Sequence, residues 1–121
     1  MPEPNKEQSI EPLNPDRLTW AVLLARWTEF ARASVALPED GEAGRVRQSV
    51  TDIITLQAVW FALGQIEELD PIEHGLGLDR AGVLIDRHTA SINKRFAGHA
   101  LPEGLVELIE DVRAAYTAHK A

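Results

Sequence analysis

Four histidines are the side chains of this 121-residue chain best suited to metal binding or to proton transfer near neutral pH. A di-iron site in a helical bundle needs Glu-x-x-His pairs on facing helices, and no histidine here has a glutamate three residues before it. The chain has no cysteine, which excludes a disulfide, a thiolate zinc site and a cysteine nucleophile. We therefore expect no metal and no cofactor. The histidines are His74, His88, His99 and His119.

His88 differs from the other three because it lies on the apolar side of a predicted helix, between Ile85 and Ile92. A single histidine in such a position is typical of a core side chain that has found a hydrogen-bond partner. We expect this arrangement for His88.

The C-terminal end carries a second pattern, in which Arg113 precedes His119. The segment resembles the Arg-x(4 to 6)-His signature of the HEPN ribonucleases, which are small helical bundles that dimerise to bring two such motifs together. The resemblance covers seven residues, from Arg113 to His119. It implies that these two residues form the catalytic pair of a small helical ribonuclease, which is the catalytic alternative for this chain.

Charge and composition set the class of protein. The chain has a formal net charge of -7 and is 45% hydrophobic. An acidic balance disfavours a broad phosphate-binding surface, so we expect no nucleic-acid partner. No run approaches the roughly 18 consecutive apolar residues of a membrane span, and the N-terminus lacks the pattern of a secretion signal. These features predict a soluble, cytoplasmic protein with no membrane partner.

Three tryptophans point to a different chemistry. Trp20 and Trp27 share one face of the first predicted helix, and Trp60 is followed one turn later by Gly64. This spacing predicts a candidate small-molecule pocket between the first two helices, lined by these four residues and His88. Core packing explains the same pattern, because tryptophans fill bundle interiors and glycine permits close helix approach.

Proline and cap residues divide the chain into helices. Residues 1–14 are proline-rich and predict an extended or mobile tail, followed by one domain over residues 15–121. Asn14 and Pro15 predict the start of a first helix that ends near Leu37. A second helix is expected at 45–69, a third from an Asp79 cap to Gly98, and a fourth from Pro102. No stretch alternates like a strand, so we predict an all-α fold, an antiparallel up-down-up-down four-helix bundle.

The second predicted helix is apolar around roughly 240° of its circumference, whereas a surface helix normally buries a stripe somewhat wider than about 100°. We do not expect the four helices of so short a chain to surround one of their own members. A second copy is therefore predicted to cover the remainder, with Val46, Val50, Ile54 and Phe61 at the interface. The alternative cover is the connection at residues 71–78.

These features together predict a non-catalytic helical interaction or scaffolding module. It is expected to form a homodimer through residues 45–69 and to bind a further protein partner through its acidic fourth helix. The two alternatives are the HEPN-like ribonuclease and a small-molecule binder with a tryptophan-lined pocket between helices.

Overall fold

The computed structural model describes residues 18–34 and 42–120. The described residues contain no β-strand, which confirms the predicted all-α class. The predicted tail at residues 1–14 lies outside them. No helix in these ranges is both long enough and apolar enough to cross a membrane. The helices are α1 (Trp20–Ser34), α2 (Ala43–Gln48), α3 (Val50–Gly64), a 3-10 turn (Ile66–Glu68), α4 (Pro71–Arg95) and α5 (Glu103–Lys120).

Helix α1 begins at Trp20, and the two residues before it are not helical. The hydroxyl of Thr19 accepts a hydrogen bond from the backbone N–H of Val22 at 3.2 Å, which is the geometry of an N-cap. The backbone N–H of Trp20 donates to Glu73 Oε1 of α4 at 3.1 Å. The predicted start at Asn14 and the predicted end near Leu37 lie outside the described residues, and the prediction is wrong at residues 18 and 19, which are not helical.

The second predicted helix is divided at Ser49. Its hydroxyl donates to the carbonyl oxygen of Arg45, one turn earlier, at 2.9 Å. A serine that bonds back in this way competes with the helical hydrogen bonds and often bends the helix. One helix over 45–69 was predicted, whereas the structure has α2, α3 and a 3-10 turn, so that prediction is wrong at Ser49 and at its end.

Helix α4 starts nine residues earlier than predicted, because its N-cap is Asp70 rather than Asp79. The carboxylate of Asp70 accepts a hydrogen bond from the N–H of Glu73 at 2.9 Å, and Pro71 occupies the first turn, where its missing N–H costs nothing. Residues 71–78 are therefore helix and not a loop that folds over the second helix. The predicted end of this helix and the predicted start of the next agree with the structure. Gly98 follows α4 with a φ of 83°, and α5 begins directly after Pro102.

Glycine is needed at position 77, in the second turn of α4. A Cβ atom added there would lie 2.8 Å from Cε3 of Trp20, closer than two such atoms can approach. Trp20 itself is 6% exposed. The glycine therefore lets the indole pack directly against the backbone of α4.

Helix α3 lies at the centre of the fold and contacts α1, α4 and α5. Leu56, Val59 and Leu63 have no exposed surface. Three helices of the same chain therefore cover α3 on several sides, although Trp60 remains 46% exposed. Cover of the remainder by a second copy stays a prediction. Of the predicted interface residues, Ile54 is buried and the other three are half-buried; these are Val46, Val50 and Phe61.

Candidate functional site

A cavity of about 250 Å³ opens where α1, α3 and α5 meet. Trp27 contributes from α1 and Trp60 from α3, and the ring of Trp27 stacks on Phe61 with centroids 4.6 Å apart and planes 7° from parallel. Trp60 is 46% exposed, although a large aromatic side chain gains most when it is buried. Helix α5 supplies one face at helical spacing. The lining residues are Trp27, Gln57, Trp60, Gly104, Glu107, Leu108 and Asp111.

The polar groups of the lining residues include acceptors as well as donors, the donors being the indole N–H groups of the two tryptophans and the amide NH₂ of Gln57. Among the described residues, the side-chain Oε1 of Gln57 is buried and has no donor. The carboxylates of Glu107 and Asp111 belong to exposed residues on the α5 side. Within the described ranges, the lining contains no lysine and no arginine. The charged groups that the described chain supplies to this cavity are therefore all negative.

Trp60 also lines a second cavity, of about 240 Å³, farther along α3 and α5. Phe61 and Gly64 form its α3 side, and Ala115 and His119 form its α5 side. The exposed indole thus stands between two hollows on one surface. Trp60 and Gly64 thus border a cavity together, but its second wall is α5 and not the first helix, as the predicted pocket required.

The structure separates the residues predicted to share one pocket. Trp27 and Trp60 line the first cavity, and Gly64 joins Trp60 at the second. Trp20 instead packs against Gly77 in the core, and His88 contacts a different part of α3. The prediction of a single five-residue pocket is therefore wrong. Two of its residues, Trp27 and Trp60, do line one cavity together.

A buried polar cluster joins α3 to α4 around Asp52, which is 6% exposed. Its Oδ1 lies 2.7 Å from Nδ1 of His88, and its Oδ2 accepts hydrogen bonds from the hydroxyl of Ser91 at 3.1 Å and from Nη1 of Arg95 at 3.0 Å. The same Arg95 nitrogen donates to the hydroxyl oxygen of Ser49 at 3.2 Å. The expectation that His88 has a hydrogen-bond partner beside the core is confirmed, and the partner is Asp52.

Sequence reasoning missed Asp52, although a signal for it exists. Asp52 precedes Leu56 by four residues and Val59 by seven, so it shares the most buried face of α3. A carboxylate on that face requires donors from the helix opposite. His88, Ser91 and Arg95 follow each other at helical spacing on α4 and supply them.

The hydrogen bonds of this cluster do not have the arrangement that nucleophilic catalysis requires. An Asp–His pair can orient an imidazole as a general base, but activation of a nucleophile requires a hydroxyl directed at that imidazole. Here the hydroxyl of Ser91 donates to Asp52 and not to His88. We interpret the cluster as a structural connection between α3 and α4.

Arg113 and His119 contact different parts of the molecule. Nη1 of Arg113 lies 3.7 Å from Oδ1 of Asp86 on α4, and this arginine lines a cavity with Tyr116. His119 Nδ1 lies 3.2 Å from Oε2 of Glu67, in the 3-10 turn, and borders the Trp60 cavity. Within one chain the two side chains therefore face separate cavities.

The outer side of α4 carries a row of exposed apolar side chains. Ile72 is 75% exposed, Leu76 58% and Val83 47%. At about 100° per residue, the three lie within roughly 40° of each other around the helix. We call this row, with its flanking charges, the α4 face. The charges are Asp79 and Asp86 on one side and Arg80 and Arg87 on the other, and all four residues are exposed.

Among the described residues, no group of three or more His, Asp or Glu side chains is placed to hold a metal ion. Comparison of the chain with protein-family models, with curated proteins and with solved structures gives no match. The features of the described residues that bear on function are the two cavities beside Trp60, the cluster around Asp52 and the α4 face.

Proposed function

We propose that this protein is a non-catalytic helical interaction module that forms a homodimer. The observation that carries the proposal is the exposure of Ile72, Leu76 and Val83 on one side of α4. Contiguous exposed apolar side chains with a charged rim are typical of an interaction surface. The all-α fold supports the expected antiparallel four-helix bundle as the scaffold that presents it.

The charges beside the apolar row favour a second copy of the chain as the occupant. When two identical helices pack in parallel, opposite edges meet, whereas in an antiparallel pair like edges meet. Parallel packing of two α4 helices places the Asp79 and Asp86 edge of each copy against the Arg80 and Arg87 edge of the other. The face is self-complementary in that orientation, so the proposed interface is the α4 face rather than the second predicted helix.

Sedimentation equilibrium at micromolar concentration tests the proposal. The wild-type chain is expected to sediment at twice its monomer mass of 13.4 kDa. Val83→Glu places a carboxylate in the apolar row and is expected to give a monomer. Ala114→Glu adds the same charge at an exposed position of α5 and is the matched control, expected to leave the dimer intact.

Exchange of the edge charges tests the orientation. A chain with Arg80→Glu and Arg87→Glu has two acidic edges, and a chain with Asp79→Arg and Asp86→Arg has two basic edges. Each is expected to be monomeric alone, and an equimolar mixture is expected to give a heterodimer. A monomeric wild type refutes the dimer. A dimer broken by Val50→Glu and unaffected by Val83→Glu places the interface at the second predicted helix.

Binding of a small ligand is a second candidate function. The observation that favours it is the cavity of about 250 Å³ beside an indole that is 46% exposed. An apolar cavity of about 150 Å³ already holds a benzene molecule. The ligand would therefore be a little larger than a single ring.

A further inference from the structure

The cavity at Trp27 and Trp60 has a composition that selects for positive charge. Aromatic faces attract a cation through the ring quadrupole, most strongly for tryptophan. Glu107 and Asp111 add two carboxylates at the same opening, and no basic side chain of the described chain lines it. A neutral ligand would gain only the apolar contact with the rings, whereas a cationic ligand gains that contact and the attraction to the rings and carboxylates.

The side chain of Gln57 adds a requirement for a hydrogen-bond donor. Its Oε1 is buried and lacks a donor within the described residues, and a buried acceptor without a donor is costly. Gln57 also lines the cavity, so an N–H group of a ligand there satisfies that acceptor once the side-chain amide turns towards it. A quaternary ammonium ion brings charge without a donor and meets only half of the requirement.

The geometry also limits the size of the ligand. Helix α5 presents Gly104 to the cavity, and a Cβ atom added there would have no other atom within 4 Å. The hollow between the tryptophans and α5 is therefore open at this position. At about 250 Å³ it holds a charged head with a short alkyl chain.

We propose that this cavity binds an organic cation that carries N–H donors, namely a primary ammonium or a guanidinium group on a short alkyl chain. The proposal depends on the second candidate function, small-ligand binding, and names its chemical class. The charged head lies between Trp27 and Trp60, donates to Oε1 of Gln57 and faces the carboxylates of Glu107 and Asp111. The source is a free amine or guanidine, or an arginine or lysine side chain of another protein.

Isothermal titration calorimetry with butylguanidinium at about 0.15 M salt tests the proposal, because this ionic strength screens the general attraction of an acidic protein for cations. Butylurea has nearly the same shape without the charge and is the ligand control. Saturable binding of butylguanidinium is expected, about tenfold or more tighter than that of butylurea. A peptide with blocked ends and one central arginine identifies the source, since a protein side chain is indicated if it binds as well as butylguanidinium.

Three variants locate the site. Glu107→Gln with Asp111→Asn is expected to weaken butylguanidinium binding about tenfold, whereas Glu110→Gln, an exposed carboxylate outside the cavity, leaves it unchanged. Gln57→Leu is expected to weaken binding without lowering thermal stability, because it removes an acceptor that has no donor. Gly104→Leu fills the opening and is expected to abolish binding while the chain remains folded by circular dichroism.

The outcomes separate the two ideas. Equal binding of butylguanidinium and butylurea overturns the charge selectivity and leaves small-ligand binding in place. No binding of either compound overturns both. Equal weakening by Glu110→Gln and by the double variant shows general acidic attraction and overturns the site.

Discussion

Replacement of Asp52 by asparagine is the sharpest test of how α3 and α4 are held together. The wild-type carboxylate has contacts with His88, Ser91 and Arg95 at 2.7, 3.1 and 3.0 Å, and its side chain is only 9% exposed. The amide is neutral and has only one acceptor oxygen, so the positive charge of Arg95 loses its carboxylate partner and the contact with His88 is kept only if Nδ1 accepts from the N–H₂ group.

The magnitude follows from burial. Removing one partner of a fully buried ion pair costs about 3–5 kcal/mol, and a hydrogen bond to a charged group contributes about 1.5–3 kcal/mol. The side chain of Arg95 is 31% exposed and can recover part of its hydration, which lowers the cost. We therefore expect Asp52→Asn to lower the free energy of unfolding by about 2–4 kcal/mol.

Urea unfolding followed by circular dichroism measures this change as a shift of the midpoint at constant slope. The matched control is Glu67→Gln, because Glu67 also contacts a histidine, His119 at 3.2 Å, while its side chain is 73% exposed and lies outside the α4 face. An exposed pair of this kind contributes about 0–1 kcal/mol. If Asp52→Asn costs no more than Glu67→Gln, the cluster does not connect α3 to α4.

The first turns of α4 give two further predictions. Gly77→Ala is expected to destabilise the fold by about 1–3 kcal/mol in urea unfolding, since its Cβ would lie 2.8 Å from Trp20. A Cβ atom at Gly75 meets nothing within 4 Å, so Gly75→Ala is expected to stabilise the fold by about 0.5–1 kcal/mol. If both variants lose stability, or if neither does, the contact between Gly77 and Trp20 is not the cause. Asp70→Ala removes the acceptor for the N–H of Glu73 and is expected to cost about 0.5–2 kcal/mol; an unchanged thermal midpoint would show that α4 does not depend on this cap.

The sequence was sufficient for the helical class because its apolar residues repeat at helical spacing and its caps are clear at α5. The start of α4 was missed for a physical reason. Asp70 and Pro71 form a strong start signal, but Gly75 and Gly77 have low helix propensity and favour a loop when they are considered locally. The contact with Trp20 that requires glycine at position 77 is made by a residue far away in the chain.

The candidate sites were predictable only in part. The spacing of the tryptophans and Gly64 predicted a pocket between the first two helices and gave no sign that α5 would form one wall. His88 was correctly expected to have a hydrogen-bond partner. The choice of Asp52 as that partner depends on how α3 and α4 are aligned, which local spacing does not determine. The second predicted helix was correctly identified as apolar around most of its circumference. How much of it the chain itself covers could not be predicted, because the central position of α3 is a property of the whole fold.

The hydrogen bond from the backbone N–H of Trp20 to Glu73 makes the beginning of one helix dependent on the beginning of another that is 53 residues away. A helix normally secures its first amide with a neighbour in sequence, as Thr19 does for Val22. The side chain of Glu73 protects the amide of Trp20, while its own amide donates to Asp70. Opening of the first turn of α4 therefore also exposes the first amide of α1 to hydrogen exchange, whereas opening of α1 leaves the Asp70 cap of α4 in place.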